Sequence, residues 1–121
     1  MNYWTLSEKN IWVAAHRGWL DAYPENTMEA FIAAEKLGVD QIETDVRITK
    51  DGELVLIHDA AVDRTTNGTG LVKDFTFEEL RALDAGSHKG EQFKGCKIPT
   101  FVELMEHFKD HPTMTIDIEL K

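Results

Sequence analysis

Two histidines, His16 and His58, each close an apolar run, and a third run between them ends on Glu43-Thr44-Asp45. Imidazole is the side chain that exchanges protons near neutral pH. Carboxylates two residues apart on an extended run project from one face. Far downstream, Glu119 and Lys121 end another alternating run with the same spacing. If these runs are neighbouring strands, His16, Glu43, Asp45, His58, Glu119 and Lys121 converge at one end of a sheet. Converging carboxylates repel one another, and unpaired charges away from water cost on the order of several kcal/mol. A divalent cation removes both difficulties, and oxygen-only ligands select a hard ion, Mg²⁺ or Ca²⁺.

Two imidazoles beside such an ion suit phosphoryl transfer. One takes a proton from the attacking oxygen and the other gives one to the leaving alkoxide. Arg17 grips the phosphoryl oxygens and Lys121 adds a second positive charge. The competing reading treats the carboxylates as a solvated or salt-bridged strand end. It makes the histidines structural or metal-ligating, Arg17 a counter-ion and Lys121 an exposed terminal residue. His88, His107 and His111 fall in loops or near a helix end and read as solvated. Asp59, Asp63 and Arg64 read as organisers of the loop that follows His58.

The elements that must position these groups follow from punctuation and periodicity. Ile11–Ala15 reads as a strand broken by Gly18. Asn26 and Glu29 have capping-box spacing, and a helix follows with Met28, Phe31, Ile32, Ala34 and Leu37 on its apolar face and Gly38 at its C-cap. Val39–Asp45 reads as a second strand. Lys50-Asp51-Gly52 is a tight turn, and Glu53–His58 a third strand. The link from Asp45 to Leu54 is too short for a helical crossover, which needs about a dozen residues. Val46–Thr49 is therefore expected to run back, with a hairpin near Asp51 bringing His58 to the level of Glu43 and Asp45. Thr76–Glu79 is a second capping box that opens a short helix ended by Gly86. Thr100–Glu103 is a third, opening an amphipathic helix with Phe101, Leu104, Met105 and Phe108, ended by His111-Pro112. Thr115–Leu120 is the fourth strand. The order predicts an α/β chain with a mostly parallel sheet.

Bulk properties narrow the partners. The chain has 121 residues, read as a single domain over 1–121 with no internal repeat or linker, and a net charge of −9. An acidic balance argues against nucleic acid or an anionic membrane as the main partner, since both need a clustered basic surface. Cys96 is the single cysteine, so no intrachain disulfide forms, and it reads as an inert thiol. The first ten residues lack the apolar core of a signal peptide, and Tyr3 and Trp4 are expected to pack below the sheet. No run reaches the ~20 apolar residues of a membrane span, and the cytoplasm is the default location.

Taken together, His16-Arg17-Gly18, Pro24-Glu25-Asn26-Thr27, Glu43-Thr44-Asp45-Val46, Thr49-Lys50-Asp51-Gly52, His58-Asp59, Asp63–Gly70, Ile98-Pro99-Thr100 and Glu119-Leu120-Lys121 make the chain resemble the glycerophosphodiester phosphodiesterase family. The resemblance covers about residues 11–121. It implies a (β/α)₈ barrel of the TIM type that hydrolyses glycerophosphodiesters to sn-glycerol 3-phosphate and an alcohol. In it, His16 and His58 match the general acid and base. Glu43, Asp45 and Glu119 match the ligands of the divalent cation, Mg²⁺ or Ca²⁺, and Arg17 and Lys121 match the phosphate contacts. Residues 60–98 match a small insertion over the barrel mouth. The mechanism it implies is a metal-assisted displacement, framed also as passage through a cyclic phosphate made by the neighbouring hydroxyl.

Such barrels run to ~250 residues, so only about the first half is expected here. A lone half would expose sheet edges and invite self-association. The readings that follow are a truncated chain, part of a longer protein, or a half-barrel that pairs with a partner. Two other functions compete. One is a related phospholipase-type phosphodiesterase acting on lysophospholipids or phosphoinositides. The other is a non-catalytic half-barrel module.

Overall fold

The computed structural model of the protein describes residues 13–111 and 113–121. The readings that rest on Tyr3, Trp4, Ile11, Trp12 and Pro112 lie outside these residues. Within them, β1 (Ala14–His16), α1 (Met28–Leu37), β2 (Gln41–Ile48), β3 (Leu54–Leu56), α2 (Phe77–Arg81), α3 (Phe101–Phe108) and β4 (Thr115–Leu120) follow in order.

β2 is the axis of the sheet. β1 runs parallel to its first half, with Ala14 opposite Gln41 and His16 opposite Glu43. β4 runs parallel along its other edge, with Glu43 opposite Asp117 and Asp45 opposite Glu119. β3 takes over the edge that β1 leaves and is antiparallel, with Val46 opposite Leu56. The sheet is thus mostly parallel, as expected, and Thr115–Leu120 is its fourth strand but only the third parallel one. Val46–Ile48 does not run back; it prolongs β2. The return begins after the turn, where Thr49 N donates to Glu53 O (2.9 Å) and Gly52 takes φ 88°. The hairpin still brings His58 to the acidic pair, because Ile57 N donates to Asp45 O (3.1 Å).

The helix boundaries follow their caps. Thr76 and Thr100 each accept from the amide three residues on, and Glu79 and Glu103 reach back, so both capping boxes form. α1 differs from expectation. Thr27, not Asn26, caps it by accepting from Ala30 N (3.2 Å). Gly38 closes α1 in the left-handed region at φ 79°. α2 stops at Arg81, short of Gly86. The chain is turned there by Asp84, whose carboxylate accepts from the amides of Gly86 and Ser87 (2.9 and 3.0 Å).

Two apolar clusters hold these pieces. Phe31, Ala34, Ile42, Val46, Leu56, Leu104 and Phe108 pack α1 and α3 against the sheet. Val55, Ile57, Val62, Val72, Leu80, Ala85 and Ile98 form a second cluster under the segment between β3 and α3. Successive residues of a strand face opposite ways, so β3 joins both: Leu56 enters the first core, Val55 and Ile57 the second. Val102 and Met105 on α3 and Leu120 on β4 are exposed, Leu120 by 78%.

α1 leans on the strand-end turn at Gly18. Gly18 has φ +89°, and a Cβ there would lie 2.6 Å from the Ala30 Cβ. Gly18→Ala combines left-handed strain with overpacking and should cost about 2–4 kcal/mol. Urea unfolding measures it, and a loss below about 0.5 kcal/mol, the scatter of neutral surface changes, would contradict the close approach.

Candidate functional site

The parallel strands all end on the same side, and the register fixes what meets there. His16 and Asp117 flank Glu43, and Glu119 lies beside Asp45. Residues opposite one another in adjacent strands share a face, so the carboxylates of Glu43, Asp45, Asp117 and Glu119 project from one face at this end.

Asp45 is the buried member, only 2% exposed. Asn26 Nδ2 donates to its Oδ2 (3.2 Å) while Asn26 Oδ1 accepts from Thr44 Oγ1 (2.8 Å). Arg17 Nε lies 3.6 Å from Asp45 Oδ2, and Lys121 Nζ lies 3.9 Å from Oδ1. Both turn residues that aim these groups sit in the left-handed region, Arg17 at φ 59° and Asn26 at φ 55°. They are tied to each other and to β2: Arg17 N donates to Glu43 O (2.7 Å) and Asn26 N to Arg17 O (2.9 Å). Arg17 Nε is buried without a hydrogen-bond partner, a donor held beside Asp45 with its own bond unmade.

The other sequence-predicted residues occupy the rim. His16 is exposed and Glu43 half-buried, and Glu43 Oε1 accepts from Gln41 Nε2 (3.4 Å). Lys121 Nζ lies 3.3 Å from Glu119 Oε1. His58 Nδ1 lies 2.9 Å from Asp59 Oδ1, and Arg47 donates to the His58 carbonyl through Nε and Nη2 (3.0 and 2.8 Å).

The donor set fits a hard divalent ion in chemistry and in register: Glu43, Asp45 and Glu119, with Asp117 opposite Glu43, give carboxylates and no sulfur on one face of two paired strands. As the side chains lie, Asp45 faces Arg17 and Asn26 and Glu119 faces Lys121. Among the described residues no three acidic or histidine side chains enclose an ion. Rotation of Glu43 and Glu119 about their side-chain bonds is what would bring the oxygens together.

Three residues were given no direct part in the site by the sequence reading. Asn26 read as a helix cap, yet it orients Asp45. Glu25 is buried and takes both Arg17 Nη1 (3.3 Å) and the forked guanidinium of Arg64 (2.8 and 2.9 Å). Arg64 also forks onto Asp59 (2.8 and 3.0 Å). The signal for Glu25 and Asn26 was the Pro24–Thr27 motif itself. Arg64 does organise the loop after His58, as does Asp63, which accepts from Gly70 N (3.0 Å). Cys96 is buried, and burial pushes its thiol up to about 12, with Glu29 adding to the shift, which agrees with an inert group.

The comparisons with known proteins bear on the same residues. The model of the glycerophosphoryl diester phosphodiesterase family matches residues 16–121. A glycerophosphodiester phosphodiesterase of Caldanaerobacter subterraneus subsp. tengcongensis is 55% identical over 109 residues, 90% of this chain and 44% of its own length. The crystal structure of a glycerophosphodiester phosphodiesterase from Agrobacterium tumefaciens superposes with a TM-score of 0.85 at 41% identity, covering 90% of this chain and 46% of that one. An Oleispira antarctica phosphodiesterase, solved in complex with the product sn-glycerol-3-phosphate, gives a TM-score of 0.86 at 39% identity over 91% of this chain and 44% of that one. The chain therefore spans a little under half the length of these relatives, and its fold is about the first half of a (β/α)₈ barrel. Among the described residues no helix is long and apolar enough to cross a membrane.

The ion pairs make stability depend on pH. Burial pulls the Glu25 carboxyl up, but the hydrogen bond and charge of Arg64, with Arg17, outweigh it and hold it below its ordinary value. Arg64 and then His58 hold Asp59 well below the carboxylate range against the effect of burial. Carboxyls depressed in the folded state stabilise it above their unfolded pKa and lose that contribution as pH falls through the folded value. Unfolding free energy should therefore drop as pH falls below about 4.5, the ordinary Glu value. Arg64→Gln should flatten that dependence, and an unchanged slope in urea titrations of the variant would contradict the pairing.

Proposed function

The chain belongs to the glycerophosphoryl diester phosphodiesterase family, and from that premise we propose that the protein hydrolyses glycerophosphodiesters to sn-glycerol 3-phosphate and an alcohol. The observation that supports this reading is the register that ends β1, β2 and β4 on His16, Glu43, Asp45 and Glu119, with Arg17 and Lys121 beside Asp45 and His58 next to the Ile57 N–Asp45 O bond, on residues that the family match covers. The Oleispira relative's complex with sn-glycerol-3-phosphate supports the product.

In this reading Arg17 and Lys121 bind the phosphoryl oxygens. The Arg17 and Lys121 side chains keep 16% and 20% of their surface open, and through that surface a phosphoryl oxygen would meet their charge. Both cations lie beside Asp45, whose charge keeps them fixed before the diester arrives. Glu43, Asp45 and Glu119 would hold a divalent cation, Mg²⁺ or Ca²⁺, which when bound supplies Lewis-acid stabilisation of charge on the phosphoryl oxygens. His16 and His58 divide the proton transfers. One accepts the proton of the attacking oxygen as its bond to phosphorus forms. The other donates a proton to the alcohol oxygen as the ester bond breaks, so neither hydroxide nor free alkoxide is released.

The test is hydrolysis of glycerophosphocholine by the intact protein, followed by release of sn-glycerol 3-phosphate. Excess EDTA should abolish turnover and Mg²⁺ or Ca²⁺ restore it. His16→Ala and His58→Ala should each lower kcat by ~10²–10⁴. Full activity in EDTA would remove the metal assignment, and near-normal rates in both variants would remove the proton-transfer roles.

A further inference from the structure

The contacts that begin at the His58 ring run on through groups the proposed reaction does not use. Asp59 is held ionised by Arg64 and His58 against the effect of burial, and an ionised carboxylate can only accept. The hydrogen in the 2.9 Å contact of His58 Nδ1 with Asp59 Oδ1 therefore sits on Nδ1, and Nε2 is the nitrogen left to exchange a proton. Behind Asp59 lies Arg64. Its Nε and Nη2 donate to Asp59 (2.8 and 3.0 Å), and its Nη1 and Nη2 donate to Glu25 (2.8 and 2.9 Å). Glu25, buried at the foot of α1, accepts in turn from Arg17 Nη1 (3.3 Å).

An exposed arginine paired with one carboxylate contributes little. Arg64 is different, because it forks onto two carboxylates, one of them buried, and spends all its nitrogens doing so. From this geometry we infer that Arg64 is a positioning residue: through Asp59 it fixes the ring and tautomer of His58, and through Glu25 it holds the Arg17 guanidinium, locking the proton-transfer and phosphate-binding groups into one unit. The inference rests on the roles proposed for His58 and Arg17. The charges near the ring come from several segments: Asp59 touches it, Arg64 lies behind Asp59, Glu25 before α1 lines the same cavity, and Arg47 on β2 donates to the His58 carbonyl. His88, after α2, is close enough to Glu25 and Arg64 to feel both charges.

The two arms predict different kinetics for two variants of the intact protein, assayed on glycerophosphocholine with a divalent cation supplied. Asp59→Asn cuts only the His58 arm, so kcat should fall at least about tenfold with KM within about threefold. Arg64→Gln cuts both arms, so kcat should fall and KM should rise. The pH–rate profiles should move in opposite directions. Asp59→Asn removes a negative charge beside the imidazole and moves the histidine limb to lower pH. Arg64→Gln leaves that charge unneutralised and moves the limb to higher pH. Arg64→Lys should recover only part of the lost rate, since a single ammonium cannot fork onto two carboxylates.

The ¹⁵N spectrum of the His58 ring supplies a readout independent of turnover. The wild type should show a protonated Nδ1, and the isosteric Asp59→Asn should mix the tautomers. An unchanged tautomer in Asp59→Asn, or profiles that move together or not at all, would overturn the inference while leaving the reaction intact. Full activity of His58→Asn would instead overturn the proposed reaction itself.

Discussion

Burial of the Asp45 carboxylate constrains everything around it. A charge removed from water must be paired and hydrogen-bonded, and here no single element supplies the partners. Asn26 comes from the loop before α1, Arg17 from the turn after β1, and Lys121 from the end of β4. Each reaches Asp45 because its backbone is pinned to β2 or to a neighbour already pinned there. The left-handed conformations of Arg17 and Asn26 are the local strain that this convergence stores, and strain of this kind persists only where the surroundings over-determine it. Losing Asp45 would leave Glu25 as the counter-charge of Arg17 and Asn26 with one hydrogen bond fewer.

Outward from that carboxylate the structure reads as a graded series. Asp45 is buried, Glu43 is half-buried, and Glu119 is exposed, its side chain by 68%. The same gradient separates positioning from chemistry. Groups that only aim others, such as Asn26, Thr44 and Glu25, are buried. Groups assigned to substrate or protons, His16, His58 and Lys121, keep part of their surface open at the strand ends. Parallel strands make this arrangement cheap in sequence, because adjacent strand ends present their side chains at the same level, and that is where such sheets hold their ligands. The segment between β3 and α3 adds a second core of its own and contributes Arg64, the residue that ties it back to the first.

Much of this was legible in the sequence, for physical reasons. Side-chain alternation put Glu43, Asp45 and Glu119 on one face before any register was known, and the register agrees. Gly38, Thr76–Glu79 and Thr100–Glu103 marked helix ends because caps act on nearest neighbours, which sequence displays directly. The errors came where a long-range partner outbid a local one. Asn26 had capping-box spacing, but Asp45 and Thr44 claim its amide and Thr27 caps the helix instead. The end of α2 was placed at Gly86, but that glycine is needed for close approach to Phe93 O, where a Cβ would lie at 1.9 Å, and the helix had already stopped. The expected return of Val46–Thr49 fails because hairpin length is visible in sequence while the point of reversal is not, and Val46–Ile48 prolongs β2. The forks of Arg64 join residues 39 positions apart, and no local pattern reports such a distance.

The central claim is that one strand end brings the phosphate contacts and both histidines to the same phosphoryl group. Crystals of the protein with sn-glycerol 3-phosphate and a divalent cation test it most directly. The account predicts the phosphate between the Arg17 guanidinium and Lys121 Nζ, with the His16 and His58 rings on either side and the ion on Glu43, Asp45 and Glu119. A phosphate bound away from Arg17 would contradict it. The competing position is the basic cleft of about 330 Å³ lined by Arg47, Ile48, Ala60, Leu71, Val72, Lys73 and Lys121.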